Sequence, residues 1–398
     1  MIRAGSGFGR HRDPVEAALE AALMAQEGVG LDHADACVVF ATGEAYPAAH
    51  GVLHAVRRAT GARAVVGCSG AGVLTERGEY EGTGGADDEA VVAVLALASD
   101  EVRITPFLVD ETDGLGLAAG TVAGARAFEG TGGTGLVVTL PDAQGLDPRG
   151  LLQGIQDAGG PMPVVGGVAA GAPLFELFNT DAARGALTGL AVTGRKPVIG
   201  VAQGCEPIGE PYVITRGEDN VVREIAGRPA LAVLRGALEG LPGGESRWAS
   251  VGVFAGLAIN PAKSPLERGD FLVRALVGGD QASGALAVAE PVRVGQTIQF
   301  QIRDAGAATR DLADTLRGVR GALAGRPPAF GVYFNCAGRG RGLFGEHDHD
   351  VRLIRAELGD FPLVGFFGNG EFAPVGGRNF FHTYTGVLVV FPETDGTT

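Results

Sequence analysis

The order of elements along this chain repeats, and that repetition limits what it can fold into more than any other feature. The first copy opens with an apolar strand, Cys37-Val38-Val39-Phe40, and continues into a helix around Val52, Leu53 and Val56. A second short strand, Ala64-Val65-Val66, then ends in Gly67-Cys68-Ser69-Gly70-Ala71-Gly72, and a third strand follows at 90–97. The second copy gives Leu136-Val137-Val138-Thr139-Leu140 and a helix opening at Asp147-Pro148, which presents Leu151, Leu152 and Ile155. Val164-Val165-Gly166-Gly167-Val168-Ala169-Ala170-Gly171 and a strand at 186–192 complete it. The third copy runs from Phe330-Gly331-Val332-Tyr333-Phe334-Asn335-Cys336 through a helix near Val351, Leu353, Ile354 and Leu358. It reaches Leu363-Val364-Gly365-Phe366-Phe367-Gly368-Asn369-Gly370 and closes with a strand at 385–391. From first strand to second the spacing is about 27, 28 and 33 residues, enough for a right-handed βαβ crossover, while the third strand is free to return antiparallel. The expectation is an α/β protein with mixed sheets, built from repeated βαββ units with helices packed on the sheets.

Between the second and third copies the rhythm changes. Strands are expected at 197–201, 212–215, 271–277 and 297–302, with a helix over 228–239. Leu312, Leu316, Val319 and Leu323 fall at helical spacing and mark one more amphipathic helix. A length of 398 residues suggests two or three domains, and the change of rhythm puts a boundary near residue 220. The expected organisation is therefore 1–220, an N-terminal helix from Asp13-Pro14 plus two βαββ units, and 221–398.

Composition narrows the function classes. A formal net charge of −14 repels phosphate backbones, so neither nucleic acid nor an anionic membrane is an expected partner. Lys196 and Lys263 are the only lysines and neither sits in a P-loop context. Cys37, Cys68, Cys205 and Cys336 are far apart, which argues against a zinc site or a disulfide framework. With no apolar run of 18 residues and glutamates breaking the N-terminal apolar stretch, a cytoplasmic location is expected. No cofactor or metal is called for.

The 67 glycines, roughly one residue in six, bear on both fold and site. Ligands of open α/β sheets bind beyond the carboxyl ends of parallel strands. The repeat puts Thr42-Gly43-Glu44, the 67–72 turn, Pro141-Asp142 and Asn335-Cys336-Ala337-Gly338-Arg339-Gly340 at such ends. Glycine lets backbone N–H groups face an anionic ligand closely; it equally allows tight turns and strand crossing. The candidate ligand-binding residues are Gly67, Cys68, Ser69, Gly70, Gly72, Cys336, Arg339, Gly340, Gly370 and Glu371. Arg339 could take a carboxylate bidentately and Glu371 an ammonium group. Cys336 or Cys68 could instead be a nucleophile with His382 as base, or either could be an inert buried thiol. Glu346-His347-Asp348-His349-Asp350 reads as an acidic helix start rather than a metal cluster, because residues two apart on a helix do not share a face. Trp248 reads as core packing.

Several of these segments, in order, are similar to one known family. Gly67-Cys68-Ser69-Gly70-Ala71-Gly72 resembles the glycine-cysteine signature of the FIST N-terminal domain. PVIGVAQGCEPIGEPYVIT (197–215) and REIAGRPALAVL (223–234) resemble that family's passage into its C-terminal domain. FNCAGRGRGLFG (334–345), PLVGFFGNGEFAPV (362–375) and FHTYTGVLVVF (381–391) are similar to the FIST C-terminal domain. The resemblance implies small-ligand sensing in intracellular signal transduction, with amino acids or related compounds as ligands. Many members fuse these domains to an output module; 398 residues leave no room for one here, so a separate signalling partner protein is expected. A thiol-dependent enzyme and a protein-interaction scaffold are the two rival readings.

Overall fold

Glycines at 5, 7 and 9 line one face of β1 (Ile2–His11), and α1 (Pro14–Val29) lies directly on them. A Cβ at those three positions would sit 2.1, 1.9 and 1.9 Å from the carbonyl oxygens of Ala25, Ala21 and Ala17. Only a glycine strip under an alanine strip lets strand and helix backbones come this close. The helix itself starts as its sequence predicts: Asp13 accepts from Val15 N–H at 2.9 Å, proline follows, and Gly30 ends it with φ 64°.

The computed structural model describes residues 1–81, 89–110, 112–128, 134–241, 251–260, 263, 265–266 and 269–393. It has the mixed α/β architecture expected, but each repeat holds more strands than a βαββ unit. The first comprises β1, α1, β2 (Ala36–Thr42), α2 (Ala49–Thr60), β3 (Ala64–Gly70), the hairpin β4 (Gly72–Thr75) and β5 (Gly78–Glu81), and β6 (Ala90–Ser99). The second follows the same order: β7 (Arg103–Val109), α3 (Leu117–Ala127), β8 (Gly135–Pro141), α4 (Pro148–Gly159), β9 (Val164–Gly167), β10 (Glu176–Phe178), β11 (Asp181–Ala183) and β12 (Leu187–Thr193). The third begins with β13 (Val198–Ala202) and is then interrupted by an insertion. The insertion contains β14 (Glu206–Pro207), β15 (Tyr212–Glu218), β16 (Val221–Ile225), β17 (Arg228–Pro229), α5 (Ala230–Glu239), β18 (Gly252–Ala258), β19 (Phe271–Asp280), β20 (Ala285–Val288) and β21 (Thr297–Arg303). The third repeat resumes with α6 (Ala305–Leu323), β22 (Pro328–Cys336), α7 (Gly340–Phe344), α8 (His349–Leu358), β23 (Leu363–Gly368), β24 (Glu371–Val375), β25 (Arg378–His382) and β26 (Gly386–Pro392).

Among the described residues three six-stranded sheets result, in the orders β1-β6-β2-β3-β10-β11, β7-β12-β8-β9-β24-β25 and β13-β26-β22-β23-β4-β5. In every repeat the two inner strands, β2 and β3, β8 and β9, β22 and β23, pair parallel, and the last strand returns antiparallel. The hairpin between them leaves its own sheet. The first repeat's hairpin completes the third sheet, the third's completes the second, and the second's completes the first. The exchange closes in a ring, so no repeat finishes its own sheet and each hairpin covers what would be an open strand edge. Strand alternation divides the apolar residues between two layers. Val38 and Phe40 face a core shared with Leu136, Val138, Phe334 and Phe366, while Cys37, Val39 and Ala41 face the helices.

Two compact units emerge: Met1–Val201 with Ala313–Pro374 and Asn379–Thr398, and Ala202–Leu312 with Val375–Arg378. These do not follow a linear boundary near 220, because the insertion splits the third repeat and the repeat's later elements rejoin the first two. Within the second unit, β21, β15, β16, β20, β19 and β18 pair antiparallel in succession, and β18 pairs back onto β21. This closed sheet surrounds its own core of Ile214, Val222, Leu286, Ile298 and Phe300.

Candidate functional site

The glycine segments at the ends of β3, β9 and β23 meet one another. Ala170 N–H donates to the Ser69 carbonyl at 3.1 Å, Val168 N–H to Gly370 at 2.9 Å, and Ala71 N–H to Phe367 at 2.9 Å. Gly67, Cys68, Ser69 and Gly70 are not a loop at all; they are the buried end of β3, and Gly72 opens β4. At Gly67 a Cβ would lie 1.7 Å from the Val39 carbonyl, and the equivalent Gly166 and Gly365 press equally on Thr139 and Tyr333, at 1.9 and 2.0 Å. These glycines bring backbone against backbone. Ser69 is likewise spent internally, its hydroxyl accepting from Phe175 N–H at 3.2 Å.

Strand register aligns the three repeats residue by residue. Gly67, Gly166 and Gly365 face Leu177, Phe372 and Leu74 on the exchanged hairpins. One step along each hairpin stand Glu176, Glu371 and Val73. At the ends of β2, β8 and β22 the equivalent residues are Thr42, Asp142 and Cys336. Three strand-end sites therefore share one plan, with Cys336–Glu371 in the third repeat and Asp142–Glu176 in the second. The first repeat holds only Thr42 and Val73, and there the Val91 amide donates to the Thr42 hydroxyl at 3.1 Å.

In the third repeat Thr385 N–H donates to Glu371 Oε2 at 3.1 Å, and Tyr384 N–H to Cys336 Sγ at 3.2 Å. Glu371 is fully buried, and its Oε1 makes no full hydrogen bond among the described residues. Burial pushes its carboxyl up to about 8, offset in part by the Thr385 amide, the Cys336 thiol and the Arg339 charge. Burial, and then the Glu371 charge, push the Cys336 thiol up to about 12. Above them Ala337 and Gly338 are exposed, and Tyr384, 38% exposed, lays its ring on Gly338. Tyr384 has φ 62°, a left-handed conformation that a bulky residue rarely adopts.

Arg339 lies beneath this surface and is almost wholly buried. Its Nε and Nη2 donate to Asp350 Oδ2 and Oδ1 at 3.0 and 3.2 Å. Tyr333 and Asn335 also donate to Asp350, at 2.9 and 3.1 Å, and His349 Nδ1 lies 2.8 Å from it. Burial alone would raise the Asp350 carboxyl, but the Arg339 charge and the His349 hydrogen bond outweigh it and hold it below the usual range. The exchanged hairpin β4–β5 joins the cluster. Glu79 accepts from Val351 N–H at 2.9 Å, Glu81 from Arg341 N–H at 2.7 Å, and Gly340 turns at φ 60° against the Glu81 carboxylate. The guanidinium thus anchors the 337–345 loop, which leaves Asp350 rather than a ligand as its bidentate carboxylate.

Comparison with known proteins gives this arrangement its relatives. A FIST N domain matches residues 35–228 and a FIST C domain residues 230–374. The chain belongs to the FIST family. FIST domains are sensor domains of signal transduction. Uncharacterized proteins of Mycobacterium tuberculosis are 34% identical to this chain over 396 residues, covering 98% of it and 100% of themselves. One of Mycobacterium bovis is 34% identical over 401 residues, covering 98% of this chain and 99% of itself. Among solved structures, a cyanuric acid hydrolase from A. caulinodans aligns over 99% of this chain and 100% of its own at 12% identity. Its TM-score of 0.32 is too low to bear on fold or chemistry.

Residues from both FIST halves build the third-repeat site: Glu79 and Glu81 lie in the N domain, Cys336, Arg339, Asp350 and Glu371 in the C domain. Tyr384 and Thr385 lie past the matched span. His382 Nε2 hydrogen-bonds the Ala373 carbonyl at 3.2 Å, inside its own hairpin. Cys68 is buried in the shared core, where burial and then Glu176 raise its thiol well above the ordinary value. The acidic run 346–350 does open a helix: α8 starts at His349, Glu346 pairs with Arg352, and Asp348 accepts from Glu79 N–H at 2.6 Å. Trp248 lies outside the described residues. Glu79, Asp350 and Glu176 were missed as site residues. The sequence signals are an acid in an otherwise apolar strand for Glu176 and at a helix start for Asp350; Glu79, in Gly-Glu-Tyr-Glu, has none.

Proposed function

We propose that this FIST protein is a cytoplasmic small-ligand sensor without catalytic turnover, whose ligand is an amino acid or a related amine-bearing molecule. The ligand reaches the surface of the 336–340 loop and Gly370, and its ammonium group engages Glu371. The observation that carries the reading is the buried Glu371 carboxyl, short of one hydrogen bond and beneath a strained, half-exposed tyrosine. A buried acid in that state gains from a cation that replaces its proton. Arg339 positions the loop through Asp350, and the glycines from Gly67 to Gly72 support the site by backbone packing. The response passes to a separate signalling partner protein.

The thiol-enzyme reading is disfavoured by a Cys336 thiol pushed up to about 12, since a nucleophilic cysteine needs that value lowered. A thermal-shift screen of amino acids, amines and small acids, run on the native chain and on Glu371→Gln, tests the proposal. At least one amine-bearing compound should stabilise the native chain and lose that effect in the variant. If no compound stabilises the protein, or the variant responds unchanged, the reading fails.

A further inference from the structure

We propose that Asp142 and Glu176, at the second repeat's strand end, form a second small-ligand site that takes the ammonium end of a compact amino acid. Two lines of observation carry it. The first is the shared plan. Gln144 and Gly185 N–H donate to Asp142 Oδ1 and Oδ2, each at 2.8 Å, and Gly185 N–H repeats the bond that Tyr384 N–H makes to Cys336. Glu176 stands where Glu371 stands, opposite Cys68 on β3. The second is Glu176 itself, which is fully buried, with neither carboxyl oxygen in a full hydrogen bond among the described residues and Ala186 N–H as its backbone neighbour. Burial, then the neighbouring Asp142, push it up to about 9; Ala186 N–H and Arg184 offset only part of that.

This second pair lacks the aromatic cover of the third. Where the third repeat sets the Tyr384 ring over its site, the second has Gly185 in the same left-handed conformation, φ 65° against 62°. A Cβ at Gly185 would meet nothing within 4 Å, so no side chain covers Gly185 from the place that the Tyr384 ring takes in the third repeat. Gln144, Arg184 and Gly185 are exposed around it, and Arg184 rests over the Tyr46 ring at 5.7 Å. An ammonium group reaching Asp142 and Glu176 supplies the donors Glu176 lacks, and a carboxylate a few atoms away meets Arg184 at the rim. Both charges of an amino acid are then matched, which neither a simple amine nor a simple acid achieves.

The test is calorimetric titration of the full chain with β-alanine, methylammonium and acetate at fixed ionic strength. β-Alanine should bind saturably, methylammonium more weakly, and acetate no better than chloride. Glu176→Gln should weaken β-alanine binding about tenfold or more, the loss expected for a charge-assisted hydrogen bond. Glu371→Gln should leave the Glu176-dependent part of that binding in place. Gly185→Tyr, which copies the third repeat's cover together with its left-handed strain, should block binding without touching either acid, and it serves if Glu176→Gln does not fold. No β-alanine binding, or binding lost in Glu371→Gln and retained in Glu176→Gln, overturns this second site. The latter result would leave the Glu371 reading standing.

Discussion

Replacing Glu371 by glutamine should stabilise the protein, and by an amount that grows with pH. The carboxyl is buried and raised from 4.5 to about 8, so the folded chain holds a proton there that the unfolded chain has already released. Stability from this group is complete below about pH 4.5 and is lost as pH rises through about 8. Each pH unit in that window is worth about 1.4 kcal/mol, so from pH 5 to pH 8 the native chain should fall by about 3 kcal/mol relative to the variant. Glutamine matches the neutral carboxyl in shape and does not titrate. Glu79, raised to about 8, and Glu176, to about 9, titrate in both proteins and cancel in the difference. Urea unfolding of both proteins at pH 5, 6, 7 and 8, with equal m-values required, measures it. A difference that stays flat across the series, or a variant that is less stable at pH 8, would refute the idea that Glu371 is held protonated.

Three further substitutions test other parts of the account. Asp350→Asn leaves the buried Arg339 guanidinium without its counter-charge and should cost about 3–5 kcal/mol in urea unfolding; a loss under about 1 kcal/mol would mean the pair does not hold the loop. Tyr384→Gly relieves a left-handed tyrosine, worth about 1–2 kcal/mol, and gives up a half-exposed ring. It should leave stability level or higher while Cys336 alkylation by iodoacetamide speeds up, and unchanged alkylation would show the ring is not a cover. Gly67→Ala drives a methyl to 1.7 Å from the Val39 carbonyl and should cost about 3 kcal/mol or prevent folding, whereas Gly185→Ala, in open space, should cost about 1.

What sequence made legible was local. The Val-Val-Gly second strands, the Asp-Pro helix starts at 13 and 147 and the antiparallel return strands all appear where their patterns put them. Strand β1 escaped because Gly-Ser-Gly-Phe-Gly has no apolar alternation; its signal is glycine at every second position, which matters only once α1 lies on it. Helix α3 escaped for the same reason, its buried face being Ala119, Gly120, Ala123 and Gly124. The exchanged hairpins were invisible because pairing them joins distant residues, such as Glu371 with Gly167 and Glu176 with Cys68. That is also why Arg339 read as a ligand contact. Asp350 lies 11 residues on, across a turn and a short helix that no local pattern bends back. Cys336 and Glu371 were found from sequence because each sits beside a strand-end glycine turn, and the fold does bring those two together.

The measurement that bears most directly on the sensor claim is a crystal structure of the chain with the compound that stabilises it best. The account predicts that compound at the mouth of a strand-end site, its ammonium nitrogen within hydrogen-bond distance of Glu371 and the Tyr384 ring displaced from Gly338. A stabilising compound bound away from Glu371, with Tyr384 still seated, would contradict it.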